Sequence, residues 1–257
     1  MVNNCNKMCN VVVPIYKTEL SPYEEVSLNR CFEIFCRRSI TIVAPRSLDL
    51  KKIDFLSKKQ IAEIRFDDEY FTSTSSYNRL LLQSEFYDCF SEFDFILIYQ
   101  LDAFVFADEL TAWCNAGFDY IGAPWIRDVI EEYKLARLLP FWVRWKRKNR
   151  QPKKCLVGNG GFSLRKVATF RKVLRYFKYF SNKWPSQEDV FWSCAAPSLY
   201  PWFKIPDKAI AMKFAFELEP SVCYEINQKR LPFGCHAWER HDIDFWRPIF
   251  ATMNYFI

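Results

Sequence analysis

Two runs of β-branched and aliphatic residues, Val11-Val12-Val13-Pro14-Ile15 and Ile40-Thr41-Ile42-Val43-Ala44, bracket a stretch that reads as a single helix. That strand–helix–strand opening constrains the fold more than any other feature of the chain. Such apolar runs belong to buried strands, and a helical crossover between them favours parallel pairing. Pro14 sits near the end of its run, where a missing N–H is tolerated, and Pro45 stops the second run. Ser21 is the expected N-cap of the intervening helix, Pro22 its first residue, and its end falls near Cys36. The expectation is an α/β protein with a mostly parallel central sheet flanked by helices.

Further elements follow in the same style. Leu48–Lys59 reads as loop and helix, and Ile61–Phe66 as a short strand. Tyr77–Phe90 reads as a helix leading into the apolar strand Phe95-Ile96-Leu97-Ile98-Tyr99. Thr111–Ala116 is expected to be helical and Tyr120–Gly122 extended. Val157–Leu164 follows a basic segment, then a helix over Lys166–Phe180 and another after Gln187. Beyond residue 200 aromatics and prolines alternate without a clear period. With 257 residues, half of them hydrophobic, and no repeat or low-complexity linker, one compact unit is expected over 1–257.

Met1–Asn10 is polar with no apolar run behind it, so no signal peptide is expected, and no apolar run is long enough to span a bilayer. The ten cysteines include no C-x-x-C pair, and two histidines are too few for an ordinary zinc cluster. Cys31 and Cys36 are expected to be reduced core residues, and the compartment cytosolic. The net charge of +6 is local: Lys134–Lys154 holds nine Lys or Arg residues and no acid, which leaves −3 for the remainder. Leu138, Leu139, Phe141, Trp142 and Val143 are interleaved with Arg144, Trp145, Lys146, Arg147 and Lys148. A dense apolar patch among cations favours an anionic membrane surface over nucleic acid. A solvated loop is the plain alternative.

Four places could carry chemistry. Asp102 ends the Phe95–Tyr99 strand, where α/β proteins present acids to ligands, and a carboxylate there needs a cation or donors. Gly158, Gly160 and Gly161 are three of only six glycines; they allow close backbone approach, or simply a tight turn. Their spacing is not that of a dinucleotide fingerprint. Glu188 and Asp189 open an apolar helix, either as partners of its dipole or with one as a general base. His236, among aromatics and glycine, is a hydrogen-bonded core residue or, with a carboxylate, a ligand for Mn²⁺ or a similar ion. Arg79, starting an apolar helix, invites a phosphate or carboxylate, or else a surface ion pair.

The order of segments resembles a known family. Val13-Pro14-Ile15-Tyr16-Lys17, Phe66-Asp67-Asp68, Tyr77-Asn78-Arg79-Leu80-Leu81, Tyr99-Gln100-Leu101-Asp102-Ala103, Tyr120-Ile121-Gly122-Ala123-Pro124-Trp125, Val157 to Arg165, Glu188-Asp189-Val190-Phe191 and Pro232 to Glu239 resemble bacterial glycosyltransferases of the GT-A fold, most closely the DUF5672 family. The resemblance implies a nucleotide-sugar donor held by Val13, Pro14, Ile15, Tyr16, Arg79, Gln100 and Asp102. It implies Mn²⁺ or Mg²⁺ on Asp102 and His236, and a sugar or acceptor against Asn159, Gly160, Gly161 and Trp238. Asp189, with Glu188 beside it, would be the base of an inverting transfer. Gln100 takes the place of the first acid of the D-x-D motif, which bears on metal dependence. The implied layout is a nucleotide-binding half near 11–125, a membrane-facing insertion near 126–156 and an acceptor half near 157–257. The implied setting is the inner leaflet of the cytoplasmic membrane, with a lipid-linked surface glycan such as O-antigen or capsule as acceptor and no nucleic-acid partner. A nucleotidyltransferase would need a glycine-rich basic loop after its first strand, and Tyr16-Lys17-Thr18-Glu19 is not one. A non-enzymatic basic module would depend on Lys134–Lys154 rather than on Asp102 and His236.

Overall fold

Strands β1 (Cys9–Pro14) and β2 (Ser39–Pro45) pair in parallel, joined by the Pro22–Ile34 helix, as the opening pattern predicts. That helix starts on a capping box: the Glu24 N–H donates to Ser21 Oγ (3.2 Å) and the Ser21 N–H to Glu24 Oε2 (2.7 Å). The computed structural model describes residues 8–129 and 155–257. The basic segment, with the expected membrane-facing Trp142, Arg144, Trp145, Lys146, Arg147 and Lys148, lies outside the described residues.

The remaining strands are β3 (Ala62–Phe66), β4 (Phe95–Tyr99), β5 (Ala103–Val105), β6 (Tyr120–Ile121), β7 (Pro124–Val129), β8 (Cys155–Val157), β9 (Phe162–Lys166), β10 (Ala215–Phe216) and β11 (Gly234–His236). The main sheet runs β3-β2-β1-β4-β9-β6, with β3, β2, β1 and β4 parallel and β9 antiparallel to both neighbours. Val11, Val13, Leu97 and Tyr99 pack into a core on one face, while Val12, Val43, Ile96 and Ile98 pack into a core on the other. Alternating side chains buried on both faces explain why these strands read as unbroken apolar runs.

A smaller sheet, β10-β11-β5, lies under the Ile243–Ala251 helix, where Phe104 stacks on Phe250 at 4.1 Å and Phe106 on Trp246 at 5.8 Å. β7 and β8 form an antiparallel pair whose register joins Val129 to Cys155. Among the described residues no helix is long and apolar enough to cross a membrane.

Several local expectations are corrected. The helix over Tyr77–Phe90 is two short helices, Thr74–Leu80 and Ser84–Asp88. Leu80, Leu81 and Leu82 are all buried, and three successive helical positions fan over about 200°. Breaking the helix there lets all three reach the core. The helix over Lys166–Phe180 is also two, Val167–Tyr176 and Lys178–Asn182, with Lys166 ending β9. Cys31 is buried as expected, but Cys36 is exposed, because the helix has already ended. The tract after residue 200 contains the helices Lys208–Phe214, Pro220–Ile226 and Ile243–Ala251, hidden from a sequence reading by their short length.

Candidate active site

The strand register gathers the chemistry at one edge. β1 and β4 run parallel, so Pro14 and Tyr16 emerge beside Gln100-Leu101-Asp102. β9 lies antiparallel to β4, which returns Gly160 and Gly161 to the same edge, and the Gln100 N–H donates to Gly161 O (2.8 Å). β11 pairs antiparallel with β5 and sets His236 opposite Ala103, next to Asp102. The result is a cleft of about 520 Å³ bounded by Tyr16, Tyr77, Asp102, Asn159, Asp189 and His236, with Glu217, Glu239 and Arg240 at one side.

Asp102 has the partner its position required. Its Oδ1 is 3.0 Å from His236 Nε2, and Oδ2 is 3.6 Å from Arg240 Nη2. Burial opposes its charge, but His236 and Arg240 outweigh that and hold the carboxyl below its usual range. His236 also faces Gln100 Oε1 at 3.2 Å through Nε2 and Glu217 Oε1 at 2.9 Å through Nδ1. Burial would drive the imidazole neutral, yet Asp102 and Glu217 raise its pKa to about 10.

The donor chemistry fits a cation. With the Nδ1 proton donated to Glu217, the Nε2 lone pair of a neutral imidazole would face two acceptor oxygens, Asp102 Oδ1 and Gln100 Oε1, with nothing between them. One positive charge must sit there, either a proton on His236 or a divalent ion. Glu217 stands where an outer carboxylate orients a metal-ligating histidine. Among the described residues no group of three His, Cys, Asp or Glu side chains forms a metal site; beside Asp102 and His236 the third donor atom is the uncharged Gln100 amide oxygen.

Asp189 lies on the far wall, at the start of the Glu188–Val190 helical turn that continues through a wide π turn over Phe191–Ala195. Trp192 anchors this element against Phe170 at 3.8 Å. Asp189 Oδ2 accepts from the Asn159 N–H (3.0 Å) and Oδ1 from the Val190 N–H (2.8 Å). Burial and the neighbouring Glu188 charge push its pKa up to about 7, against the pull of the Asn159 N–H. Asn159 adopts a left-handed φ of 72°, and its Oδ1 accepts from the Gly161 and Phe162 N–H groups. Its Nδ2 is buried without a hydrogen-bond partner among the described residues.

Glu188, the other expected catalytic acid, is buried in an ion pair with Arg165 (2.8 Å). Burial raises its pKa, and Arg165 opposes the rise. Arg165 is itself fully enclosed, donating to Gly160 O (3.0 Å), Ser163 Oγ (3.0 Å) and Tyr87 OH (2.9 Å). Glu188 Oε1 therefore supports the glycine turn through Arg165, while Oε2 is buried without a hydrogen-bond partner among the described residues.

The glycines are required by contact. A Cβ on Gly161 would overlap His236 Nε2, and one on Gly160 would overlap Glu188 Oε1. Gly161→Ala is expected to shift His236 and lower kcat/KM about 10²-fold, as misplacements of this size do. Steady-state kinetics alongside an unchanged far-UV circular dichroism spectrum would check this.

Other expected site residues fall elsewhere. Pro14, Tyr16, Gln100, Gly160 and Gly161 line the cleft, but Val13 and Ile15 are wholly buried in the core, since alternate strand residues face away from the edge. Trp238 is fully buried against Tyr23 and Phe250 and cannot stack on a sugar. Arg79 is exposed in a neighbouring groove, because on its helix Tyr77, Asn78 and Leu81 take the cleft face. Sequence reasoning missed Tyr77, Arg165, Glu217 and Arg240. Only Arg165, charged within an apolar strand pattern, left a signal.

A parallel sheet with an acidic cluster at its C-terminal edge, continued by an antiparallel strand and a small second sheet, is the GT-A glycosyltransferase fold. Solved structures agree. Mouse xyloside xylosyltransferase 1 matches with 13% identity and a TM-score of 0.52 over 88% of this chain and 96% of that one. The galactosyltransferase LgtC, solved with donor and acceptor sugar analogues, matches with 12% identity and a TM-score of 0.54 over 95% of this chain and 94% of its own. The family model described as "Protein of unknown function (DUF5672)" matches residues 60–236, from just before β3 to the site histidine. The chain belongs to that family. No curated protein matches it significantly.

Proposed function

We propose that the chain transfers a sugar from a nucleotide-sugar donor to a hydroxyl of an acceptor glycan. The observation that carries this reading is that one cleft is lined both by the Asp102–His236 cluster and by Asp189, a buried carboxylate with a pKa near neutrality. The first suits the leaving diphosphate and the second the attacking hydroxyl. LgtC, which shares the fold, was solved with donor and acceptor sugar analogues.

In this reading Pro14, Tyr16 and Tyr77 flank the donor, in the half of the chain near 11–125. Asp102, His236 and Gln100 would hold Mn²⁺ or Mg²⁺, which neutralises charge growing on the departing diphosphate. Glu217 keeps His236 oriented, and Arg240 adds a second positive charge beside Asp102. The acceptor oxygen attacks the anomeric carbon while the bond to the diphosphate oxygen breaks with its electron pair. The acceptor proton passes to Asp189, and the product inverts at the anomeric centre. A retained configuration in the product's NMR spectrum would exclude Asp189 as the base of a single displacement.

The acceptor is a lipid-linked surface glycan, a reading that rests on the interleaved cations and aromatics between Lys134 and Lys154. Vesicle co-sedimentation with and without anionic lipid tests that part separately.

Asp102→Ala removes the carboxylate opposite His236. It is expected to reduce transfer about 10²–10³-fold, the usual cost of losing one charge-stabilising group. The assay is release of nucleotide from a panel of nucleotide sugars, with and without Mn²⁺. Full activity in this variant would refute the site.

A further inference from the structure

A second groove, of about 600 Å³, opens beside the cleft. Thr74, Asn78 and Gln187 line both, so the two adjoin, and Gln187 immediately precedes Glu188-Asp189. A chain-like ligand with one end at Asp189 would run over Gln187 into this groove. One wall is the Thr74–Leu80 helix with Tyr70 before it, and the other is the segment from Ser181 to Gln187.

The lining suits carbohydrate. Amides come from Asn78, Gln83, Asn182 and Gln187, with several hydroxyls among them, and all are groups that can donate to or accept from sugar hydroxyls. Trp184 supplies a half-buried ring, held by its Nε1–H donation to Gln187 O (2.9 Å) and by an edge-on contact with Phe191 (5.3 Å). An indole fixed in this way offers apolar area to the C–H face of a sugar without losing rotamer freedom on binding.

Of the described residues lining the groove, Arg79 alone is charged, and no carboxylate among the described residues pairs with its guanidinium. Arginine's planar fork matches carboxylate and phosphate oxygens. We infer that this groove is an acceptor subsite for the sugars beyond the one that is glycosylated, and that Arg79 selects an acceptor bearing an anionic oxygen group, either a sugar carboxylate or a phosphate. The inference rests on the transferase reading for its direction, because it takes the end at Asp189 as the reacting end.

The test measures glycan binding to the full chain by saturation-transfer NMR, in the absence of donor. The probes are tetrasaccharides of equal length: neutral, uronate-containing and phosphate-containing. The wild type is expected to bind at least one acidic probe about tenfold more tightly than the neutral one, a preference that weakens as salt screens it. Arg79→Gln should abolish the preference while keeping neutral binding. Ser75→Trp, placing an indole in the groove from an exposed position, should weaken all three probes by tenfold or more. A uronate preference identifies the carboxylate, a phosphate preference the phosphate, and equal gains a reading of charge alone. Equal binding of neutral and acidic probes, or unchanged binding in Ser75→Trp, overturns the proposal. Donor binding, followed separately by thermal shift with nucleotide sugars, should be the same in both variants. If donor binds but no glycan does, the subsite is wrong and the transferase reading stands; the converse result removes the transferase reading alone.

Discussion

Replacing Asp189 with asparagine is expected to lower kcat about 10²–10⁴-fold, the range for removal of a general base. Donor affinity should be nearly unchanged, because the hydrogen bonds of Asp189 go to the Asn159 and Val190 N–H groups and not to Asp102 or His236. Asparagine can still accept the Asn159 N–H through its side-chain oxygen, so the turn should survive. On the proposed role, only the ionised Asp189 carboxylate can take the acceptor's proton. Its pKa of about 7 then predicts a kcat/KM that rises with pH through neutrality and levels above it. The same shift affects stability. The folded group titrates near 7 and the unfolded one near its ordinary 3.8, so the folded state binds more protons between those values and stability falls as pH rises through that window. Asp189→Asn should therefore gain stability relative to wild type above pH 7 and lose that advantage below pH 4. A variant with undiminished transfer at pH 7.5 would eliminate Asp189 as the base.

The second large effect is on folding. Arg165→Met leaves Glu188 as an uncompensated buried charge and is expected to destabilise by about 3–5 kcal/mol. It also removes donors from Gly160 O, Ser163 Oγ and Tyr87 OH. The double variant Arg165→Met/Glu188→Leu should recover most of the loss, since an apolar pair needs no charge balance. Urea unfolding of the two variants decides it. Similar stabilities for single and double variants would mean that the ion pair is not what Arg165 contributes.

The main sheet was readable because its strands are buried on both faces and separated by one well-capped helix. Asp102 was readable for a related reason: a lone carboxylate ending an apolar strand has few bland explanations. Long-range pairing was not readable. Glu217 follows a two-residue strand, and nothing local marks it as the partner of His236. Arg79 and Trp238 were misplaced for a different reason. A motif shows which residues cluster in sequence, but the helix or strand period decides which of them share a face. Trp238 turned inward to fill an aromatic core, and Arg79 pointed one helical step away from the cleft. Glu188 and Asp189, adjacent, chemically alike and both buried, are separated by their partners: Glu188 pairs with Arg165, whereas Asp189 accepts the Asn159 and Val190 N–H groups.

The β7–β8 pair has a use in engineering. Val129 lies opposite Cys155, so the chain leaves for residues 130–154 and comes back at almost the same point. Loop-closure entropy changes slowly with length, so a short turn in place of those residues asks little of the two paired strands. The exit and return points therefore mark where residues 130–154 can be replaced, and the shortened chain would show whether the cleft keeps its geometry without the basic segment.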